Sequence, residues 1–231
     1  MPPGPEDQLP LAVGLADEAN FDNFVVSPEN LQIVTWLREP ERLDSPVLIW
    51  GHPASGRTHL LQACCHLAGN RRAFFLPLRH RLMMRPEILD DLGEIAMICI
   101  DDVQLAAGDA DWERALVRLI NSVNPSASRL VLAASAPAAK IGWALADLRS
   151  RLQQALSFRL HPLNETGIRQ AFTLRARNRG LRLDDGVVDY IFLRAERRLD
   201  ALMAILDQLD ESSIRRQHHI TIPQVKRILG W

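Results

Sequence analysis

VLIWGHPASGRT, residues 47–58, is the stretch that decides the fold. Its four apolar residues Val47–Trp50 predict a short buried strand, and the residues after Thr58 predict a helix. Between them, the spacing from Gly51 to Thr58 is that of a phosphate-binding loop, G-x4-G-K-[ST], with arginine in place of lysine. A plain glycine turn between a strand and a helix is the alternative explanation.

Each position of this loop has a chemical reason. Glycines let backbone N–H groups surround phosphate oxygens, and a helix N-terminus favours negative charge. We expect Ser55, Gly56 and Arg57 to contact phosphate, and the Thr58 hydroxyl to bind Mg²⁺. His59 is included as a neighbouring contact, although packing on the first helical turn also explains it. Arg57 keeps the positive charge but presents a planar fork, which is not equivalent to an ammonium group.

Further apolar runs predict a sheet. Continuous apolar strands that alternate with helices are typical of a parallel sheet covered on both faces, so we expect an α/β fold. After about Pro162 the strand pattern stops, and the chain predicts a small all-helical domain. Upstream, Ser27 is the expected N-cap of a helix that begins at Pro28. The predicted strands are 47–50, 73–76, 95–100 and 130–134, and the later helices are 164–179, 184–196, about 199–209 and 222–229.

Polar side chains follow two of these strands. Asp101 and Asp102 end the third strand, about 45 residues after the phosphate loop, and Ser135 follows the fourth. Asp101 is expected in the Mg²⁺ shell, Asp102 as the acid that polarises water, and Ser135 as a contact of the γ-phosphate or of water. A solvated strand end is the alternative. The order and separation of the two motifs favour a nucleotide-binding domain.

Composition restricts the choice of partners. The 231 residues carry 27 basic and 28 acidic side chains, a net charge of −1, and 47% hydrophobic residues. The chain therefore has enough hydrophobic residues to bury a core, whereas DNA binding driven mainly by charge is disfavoured. All basic residues except Lys140 and Lys226 are arginines. The acidic, proline-rich start and the three cysteines without metal spacing favour a cytoplasmic protein that has no membrane span.

These motifs together resemble the AAA+ ATPases, and within them the DnaA-related branch that includes regulators of the Hda type. Phe21–Val26 is similar to the N-terminal box, whose backbone at Val25 and Val26 borders the adenine. Ile100–Gln104 is similar to the Walker B motif of that branch. The segment 177–183 looks like part of the lid. The resemblance covers about residues 17–231 and implies an AAA+ parallel sheet followed by a helical lid, binding ADP or ATP with Mg²⁺.

The resemblance also implies roles for arginines. Leu148–Leu152 is similar to the box VII segment, which makes Arg151 the expected arginine finger; two surface arginines are the alternative. The lid's sensor 2 position falls on Asp200, with Arg197 and Arg198 beside it. Either an adjacent arginine, for which we take Arg198, contacts the nucleotide, or the site prefers ADP.

The N-terminus points to a second partner. Gln8, Leu9 and Leu11, with Pro10 between them, are similar to peptides that bind the sliding clamp of DNA polymerases; a frayed terminus is the alternative. The sequence ends at Trp231, before the position of a DnaA-type DNA-binding domain, so contact with DNA is expected to be mainly indirect. The expected organisation is a tail over 1–16, an AAA+ domain over 17–161 and a lid over 162–231.

By resemblance, the function is regulation of chromosomal replication initiation. With the DNA-loaded clamp, the chain would stimulate hydrolysis of DnaA-bound ATP by inserting Arg151 in trans, while its own ATPase activity, given Arg57, would be weak. A free-standing ATPase such as a helicase-loader-like motor is the alternative from another class. A pure adaptor, which keeps a nucleotide only to hold its fold, is a third. Self-association into homo-oligomers stays open.

Overall fold

The computed structural model describes most of the chain after residue 18, and the predicted clamp-binding residues Gln8, Leu9 and Leu11 lie outside that part. The chain divides into two compact units. Residues 19–21 and Pro28–His161 form the first unit, and Asp22–Ser27 join Pro162–Trp231 in the second. The described residues are 19–39, 46–68, 73–93, 95–124, 126–213 and 219–231.

A five-stranded parallel sheet organises the first unit and confirms the α/β fold. Its spatial order is β2-β3-β4-β1-β5. β1 lies between β4 and β5, and β4 separates β1 from β3. The carboxyl ends of β1, β4 and β3 therefore meet at one edge. The strands are β1 (Val47–Gly51), β2 (Ala73–Pro77), β3 (Met97–Asp101), β4 (Arg129–Ala134) and β5 (Leu156–Leu160).

The sequence analysis missed the fifth strand for a physical reason. β5 is an edge strand that pairs with β1, and Leu156, Ser157 and Arg159 are exposed along it. It therefore lacks the continuous apolar run by which β1, β3 and β4, buried on both faces, were identified.

Four α-helices lie in the described part of the first unit, and the start of the first differs from the prediction. A single 3₁₀ turn, Pro28–Asn30, precedes it, and Ser27 is not its cap. Asn30 occupies the cap position without capping, because its amide donates to and accepts from the main chain of His161, both at 2.8 Å. The helices are α1 (Leu31–Arg38), α2 (Arg57–Leu67), α3 (Ala110–Ser122) and α4 (Ala146–Gln154).

The core of this unit lies on both faces of the sheet. Trp112 of α3 and Trp143, which precedes α4, are buried with Leu148 and Leu152 of α4 in one cluster. The Trp143 indole N–H donates to the oxygen of Ala138 at 3.1 Å, so the polar atom of this large side chain is satisfied. The three cysteines are free and buried.

The described residues of the second unit form four α-helices and a pair of two-residue strands. The two-residue strands β6 (Arg182–Leu183) and β7 (His219–Ile220) run parallel, so the prediction of an all-helical unit was incomplete. Phe172 and Phe192 meet edge to face at 5.5 Å in its core. Across the described residues, no helix has both the length and the apolar character to span a bilayer. The helices are α5 (Glu165–Asn178), α6 (Asp185–Arg194), α7 (Leu199–Ser213) and α8 (Ile222–Leu229).

Candidate functional site

The phosphate loop is shaped by close backbone approach. A Cβ on Gly51 would lie 2.4 Å from the main-chain oxygen of Leu160, so no larger residue fits without movement of β5. Gly56 caps α2 with φ +96°, in the left-handed region that favours glycine. The first N–H groups of α2 have no partner within the helix and are available to an anion.

Ser55 adds a polar atom to this loop. The residue is 5% exposed, and its hydroxyl oxygen is buried without a hydrogen-bond partner among the described residues. A buried hydroxyl without a partner is unfavourable, and a phosphate oxygen would satisfy it. The loop therefore fits the phosphate group that the sequence predicts.

Thr58 and Asp101 form the candidate metal pair. The Thr58 hydroxyl donates to Asp101 Oδ2 at 2.5 Å, and the Asp102 amide donates to the other carboxylate oxygen at 2.9 Å. Asp101 is fully buried, and burial raises the pKa of its carboxyl group above the ordinary value. One hydroxyl and one carboxylate, already side by side, match the small number of protein ligands that Mg²⁺ takes beside a nucleotide.

Arg57 lies across the ends of two strands. Its Nη1 donates to the oxygen of Gly51, at the end of β1, at 2.5 Å and to that of Ala134, at the end of β4, at 2.6 Å. Its Nη2 lies 3.5 Å from Asp102 Oδ1, and the side chain is only 11% exposed. The guanidinium group thus connects three strand ends, a geometry that the shorter ammonium arm of lysine cannot reproduce.

Asp102 is held by a second contact that the sequence analysis missed. Gln104 donates from Nε2 to Asp102 Oδ1 at 3.2 Å and accepts the Ser135 N–H at 3.0 Å. Asp102 itself has φ +55°, which turns the chain into the 3₁₀ turn Val103–Ala106. Gln104 therefore couples the ends of β3 and β4. Ser135 is exposed at the end of β4, where the sequence predicts it.

His59 makes a structural contact. Its Nε2 lies 2.7 Å from the main-chain oxygen of Asn20, which ties α2 to the segment before Phe21. This contact agrees with the packing explanation that the sequence left open for His59.

Arg151 lies on the second turn of α4. Its Nε donates to Asp147 Oδ1 at 2.9 Å, one helical turn earlier on the same helix. The Arg151 side chain is 35% exposed and that of Asp147 is 56% exposed. The sequence pattern of α4 explains this orientation, because Leu148 and Leu152 take the buried face.

The remaining predicted residues belong to the second unit. Val25 and Val26 fall in its segment Asp22–Ser27, and Arg198 precedes α7. Arg198 forms a bidentate ion pair with Asp200 through bonds of 3.2 Å and 2.5 Å. The hydrogen bond from Arg198 lowers the pKa of the Asp200 carboxyl group. Arg197 donates to Glu165 at 2.7 Å. The two arginines predicted beside the sensor 2 position thus both hold carboxylates.

Comparison with known proteins gives a family match in the second unit and structures of similar fold for most of the chain. Residues 165–229 match the family described as Hda, lid domain. Domain III of the Thermotoga maritima replication initiation protein DnaA superposes with a TM-score of 0.77 at 20% identity, covering 94% of this chain and 98% of that one. AMPPCP-bound DnaA from Aquifex aeolicus gives 0.66 at 18% identity, over 86% of this chain and 67% of that one.

A more distant structure has the same fold. The Thermotoga maritima RuvB Holliday junction branch migration motor gives a TM-score of 0.64 at 12% identity, over 92% of this chain and 71% of that one. At such identities the superpositions establish the fold, and the lid match concerns residues 165–229. The chain therefore has the fold of domain III of DnaA, with a five-stranded parallel sheet in its first unit, and residues 165–229 of its second unit are similar to the Hda lid.

Proposed function

We propose that this protein regulates replication initiation by stimulating hydrolysis of ATP bound to DnaA, in concert with the DNA-loaded sliding clamp. In this proposal its own nucleotide site holds ADP or ATP without rapid turnover. Arg151 enters the DnaA site in trans and completes it. The match of residues 165–229 to the Hda lid supports the choice of this branch over other AAA+ proteins.

The site in the first unit is suited to bind a nucleotide. Ser55, Gly56 and the first turn of α2 are the proposed phosphate contacts, with Arg57 beside them. Thr58 and Asp101 are the proposed ligands of Mg²⁺, which when bound neutralises charge on the phosphates. Val25, Val26 and Arg198 belong to the second unit; by resemblance, the first two are the proposed adenine contacts and Arg198 is the proposed lid contact once its ion pair with Asp200 is broken. DnaA structures with bound AMPPCP support nucleotide binding in this fold.

The Arg57 geometry is the observation that carries the proposal. A hydrolytic site needs an acid that is free to orient water, and here Asp102 lies 3.5 Å from a guanidinium group that is itself fixed to two strand ends. Asp102 also accepts from Gln104. A carboxylate engaged by two donors is less available to orient a water molecule, so we expect slow hydrolysis of the bound nucleotide.

Arg151 has the properties that an arginine finger requires. An exposed i,i+4 ion pair contributes about 0.3–0.5 kcal/mol, so Arg151 loses little free energy when it leaves Asp147 for a phosphate. A guanidinium group can stabilise the charge that develops on the γ-phosphoryl oxygens in the transition state. A finger supplied in trans raises the rate by about 10³–10⁵. One side chain can therefore account for the whole stimulation.

The partners follow from the same proposal. Gln8, Leu9 and Leu11 are the proposed clamp contacts, as an extended peptide that fills an apolar pocket. The net charge of −1 gives little electrostatic attraction to DNA. The clamp, already threaded on DNA, would bring this protein to DnaA, and contact with DNA would be mainly indirect.

A reconstituted ATPase assay tests the proposal. DnaA loaded with ATP is incubated with this protein, with and without clamp loaded on DNA, and released phosphate is measured. Stimulation that needs both this protein and loaded clamp is expected. A DnaA hydrolysis rate that is unchanged by both together would refute the proposal.

A free-standing ATPase motor is the second candidate, favoured by one observation. Thr58, Asp101, Asp102 and Ser135 all lie at the same edge of the sheet, as in-cis hydrolysis would need. The isolated protein discriminates the two. Rapid multiple turnover of ATP without DnaA supports the motor, whereas slow turnover supports the regulator.

A further inference from the structure

Glu113 is a fully buried acidic residue that the sequence analysis did not identify. It lies in the first turn of α3 with 0% exposure. A buried carboxylate is expensive unless its oxygens are hydrogen-bonded. Here three main-chain N–H groups satisfy it. Oε1 accepts from Gly108 at 2.8 Å and from Ala144 at 2.9 Å, and Oε2 accepts from Leu145 at 2.7 Å.

Two of these donors are the residues that lead into α4. Leu145 is its N-cap, with φ −90° and ψ 117°, and makes no side-chain capping bond. Ala144 precedes it in an irregular loop and is exposed. The main-chain N–H groups of Ala144 and Leu145 are not bonded within a strand or helix. The Glu113 carboxylate therefore accepts the hydrogen bonds that regular secondary structure would otherwise provide. Glu113 therefore sets where α4 begins.

Packing fixes the rest of α4. Leu148 and Leu152 are buried, and Arg151 projects from the same helix six residues after Leu145. Apolar contacts are non-directional, and alone they tolerate small shifts along and around the helix axis. Hydrogen bonds from two consecutive amides to the two oxygens of one carboxylate do not tolerate such shifts.

We propose that Glu113 is a positioning residue for Arg151, holding the start of α4 so that the guanidinium group meets the γ-phosphate of the partner. This inference rests on the proposed function of Arg151. A group that acts in a transition state must be placed closely, since a misplacement of about 1 Å can lower a rate about 10²-fold. Loss of the carboxylate should thus reduce catalysis more than it reduces assembly.

Three variants test this inference in the clamp-dependent DnaA assay. Glu113→Gln keeps the size of the side chain but turns one accepting oxygen into a donor that faces an N–H group. Ser128→Ala is the matched control: it removes another fully buried group, whose hydroxyl donates to Gly93 at 2.8 Å before the start of β4. Arg151→Ala reports on the proposed function itself.

The readout is the split between maximal stimulated rate and half-saturating concentration. We expect Glu113→Gln to lower the maximal rate at least tenfold with the half-saturating concentration within about threefold of wild type, and Ser128→Ala to change neither. A Glu113→Gln maximal rate equal to wild type, with Arg151→Ala inactive, overturns the inference and leaves the proposed function standing. Full activity of Arg151→Ala overturns the proposed function instead.

Hydrogen exchange of the wild-type protein provides a check that does not depend on a variant folding. In the wild-type protein the amides of Ala144 and Leu145 should exchange much more slowly than those of an open loop, although Ala144 is exposed. Exchange at open-loop rates for both amides would overturn the inference. In Glu113→Gln the same amides should exchange faster while those of β1 and β4 stay unchanged.

Discussion

Arg57 of the phosphate loop and Arg151 of α4 are both arginines, but they differ in exposure and in the groups they contact. Arg57 is 11% exposed and reaches the ends of β1 and β4 and the Asp102 carboxylate. Arg151 is 35% exposed and holds one carboxylate, Asp147, on its own helix. The first is engaged by the sheet, and the second can be released to another molecule.

In the proposed function, Arg57 therefore serves nucleotide binding and Arg151 serves catalysis. In that proposal, a site whose arginine restrains its own acid retains its nucleotide. An arginine on an exposed helix face can act on the nucleotide of a partner. Because the two residue types are identical, composition alone cannot distinguish them; the elements on which they lie do.

Removing the exposed arginine should give the largest effect. Arg151→Ala is expected to abolish the clamp-dependent stimulation of DnaA ATP hydrolysis, by up to about 10³–10⁵-fold, because no other group replaces the guanidinium charge. Nucleotide binding by the variant should persist. Arg149→Ala, an exposed neighbour on α4, is the control and should retain stimulation. Stimulation by Arg151→Ala at the wild-type rate would contradict the role of Arg151 as the arginine finger.

Shortening the buried arginine should have a smaller effect in the opposite direction. Arg57→Lys keeps the positive charge but cannot reach the oxygens of Gly51 and Ala134 and the Asp102 carboxylate at once. Asp102 is then freer to orient water, and we expect ATP turnover by the isolated protein to rise about tenfold. Arg57→Ala, which loses the charge, should show no rise. Unchanged turnover in a nucleotide-loaded Arg57→Lys variant would contradict the restraining role.

The buried Asp101 predicts a stability effect that depends on pH. Burial raises its native pKa above the unfolded value of about 3.9, so the native state binds the proton more tightly. Stability is therefore lost as pH rises through the interval between the two pKa values, and the loss is complete above the native pKa. Asp101→Asn removes this penalty and can keep the contacts to Thr58 and to the Asp102 amide.

Thermal unfolding without nucleotide and Mg²⁺ measures that effect. The Asp101→Asn variant should be more stable than wild type at neutral pH, and this advantage should shrink as the pH is lowered toward 4. Addition of Mg²⁺ and nucleotide should stabilise wild type more than the variant. A stability difference that is the same at both pH values would argue against a raised pKa.

Releasing the exposed arginine should have the smallest effect. Asp147→Ala removes an exposed ion pair and should change the free energy of unfolding by no more than about 0.5 kcal/mol. Stimulation of DnaA should be equal to or slightly above that of wild type, since Arg151 no longer has to leave a carboxylate. A large loss of stimulation in the same assay would mean that Asp147 orients Arg151 for catalysis and is not only its ion-pair partner.

The sequence predicted the parts of the structure that depend on local pattern. β1, β3 and β4 are continuous apolar runs because they are buried on both faces, and the phosphate loop carries its own spacing. β5 lacks that pattern because it lies at the edge. Ser27 looked like a cap, but the chain turns through 3₁₀ geometry there and Asn30 is engaged by His161, 131 residues away.

The residues that sequence reasoning missed act through long-range contacts. Gln104 connects the ends of β3 and β4, and Glu113 accepts from Ala144 and Leu145, more than 30 residues later. No spacing rule encodes such pairs. An acidic residue at a buried position of an amphipathic helix is a hint for Glu113, since the Trp112, Ala115 and Leu116 positions around it are apolar. Only the fold reveals its donors.

A single-turnover experiment tests directly whether this protein stimulates hydrolysis of the ATP bound to DnaA. DnaA is loaded with labelled ATP, this protein is loaded with unlabelled ADP so that it cannot contribute turnover, and both are mixed with clamp on DNA. We expect labelled ATP on DnaA to be converted to ADP orders of magnitude faster than on DnaA alone, and Arg151→Ala to remove the acceleration. Conversion at the rate of DnaA alone would contradict the proposed function.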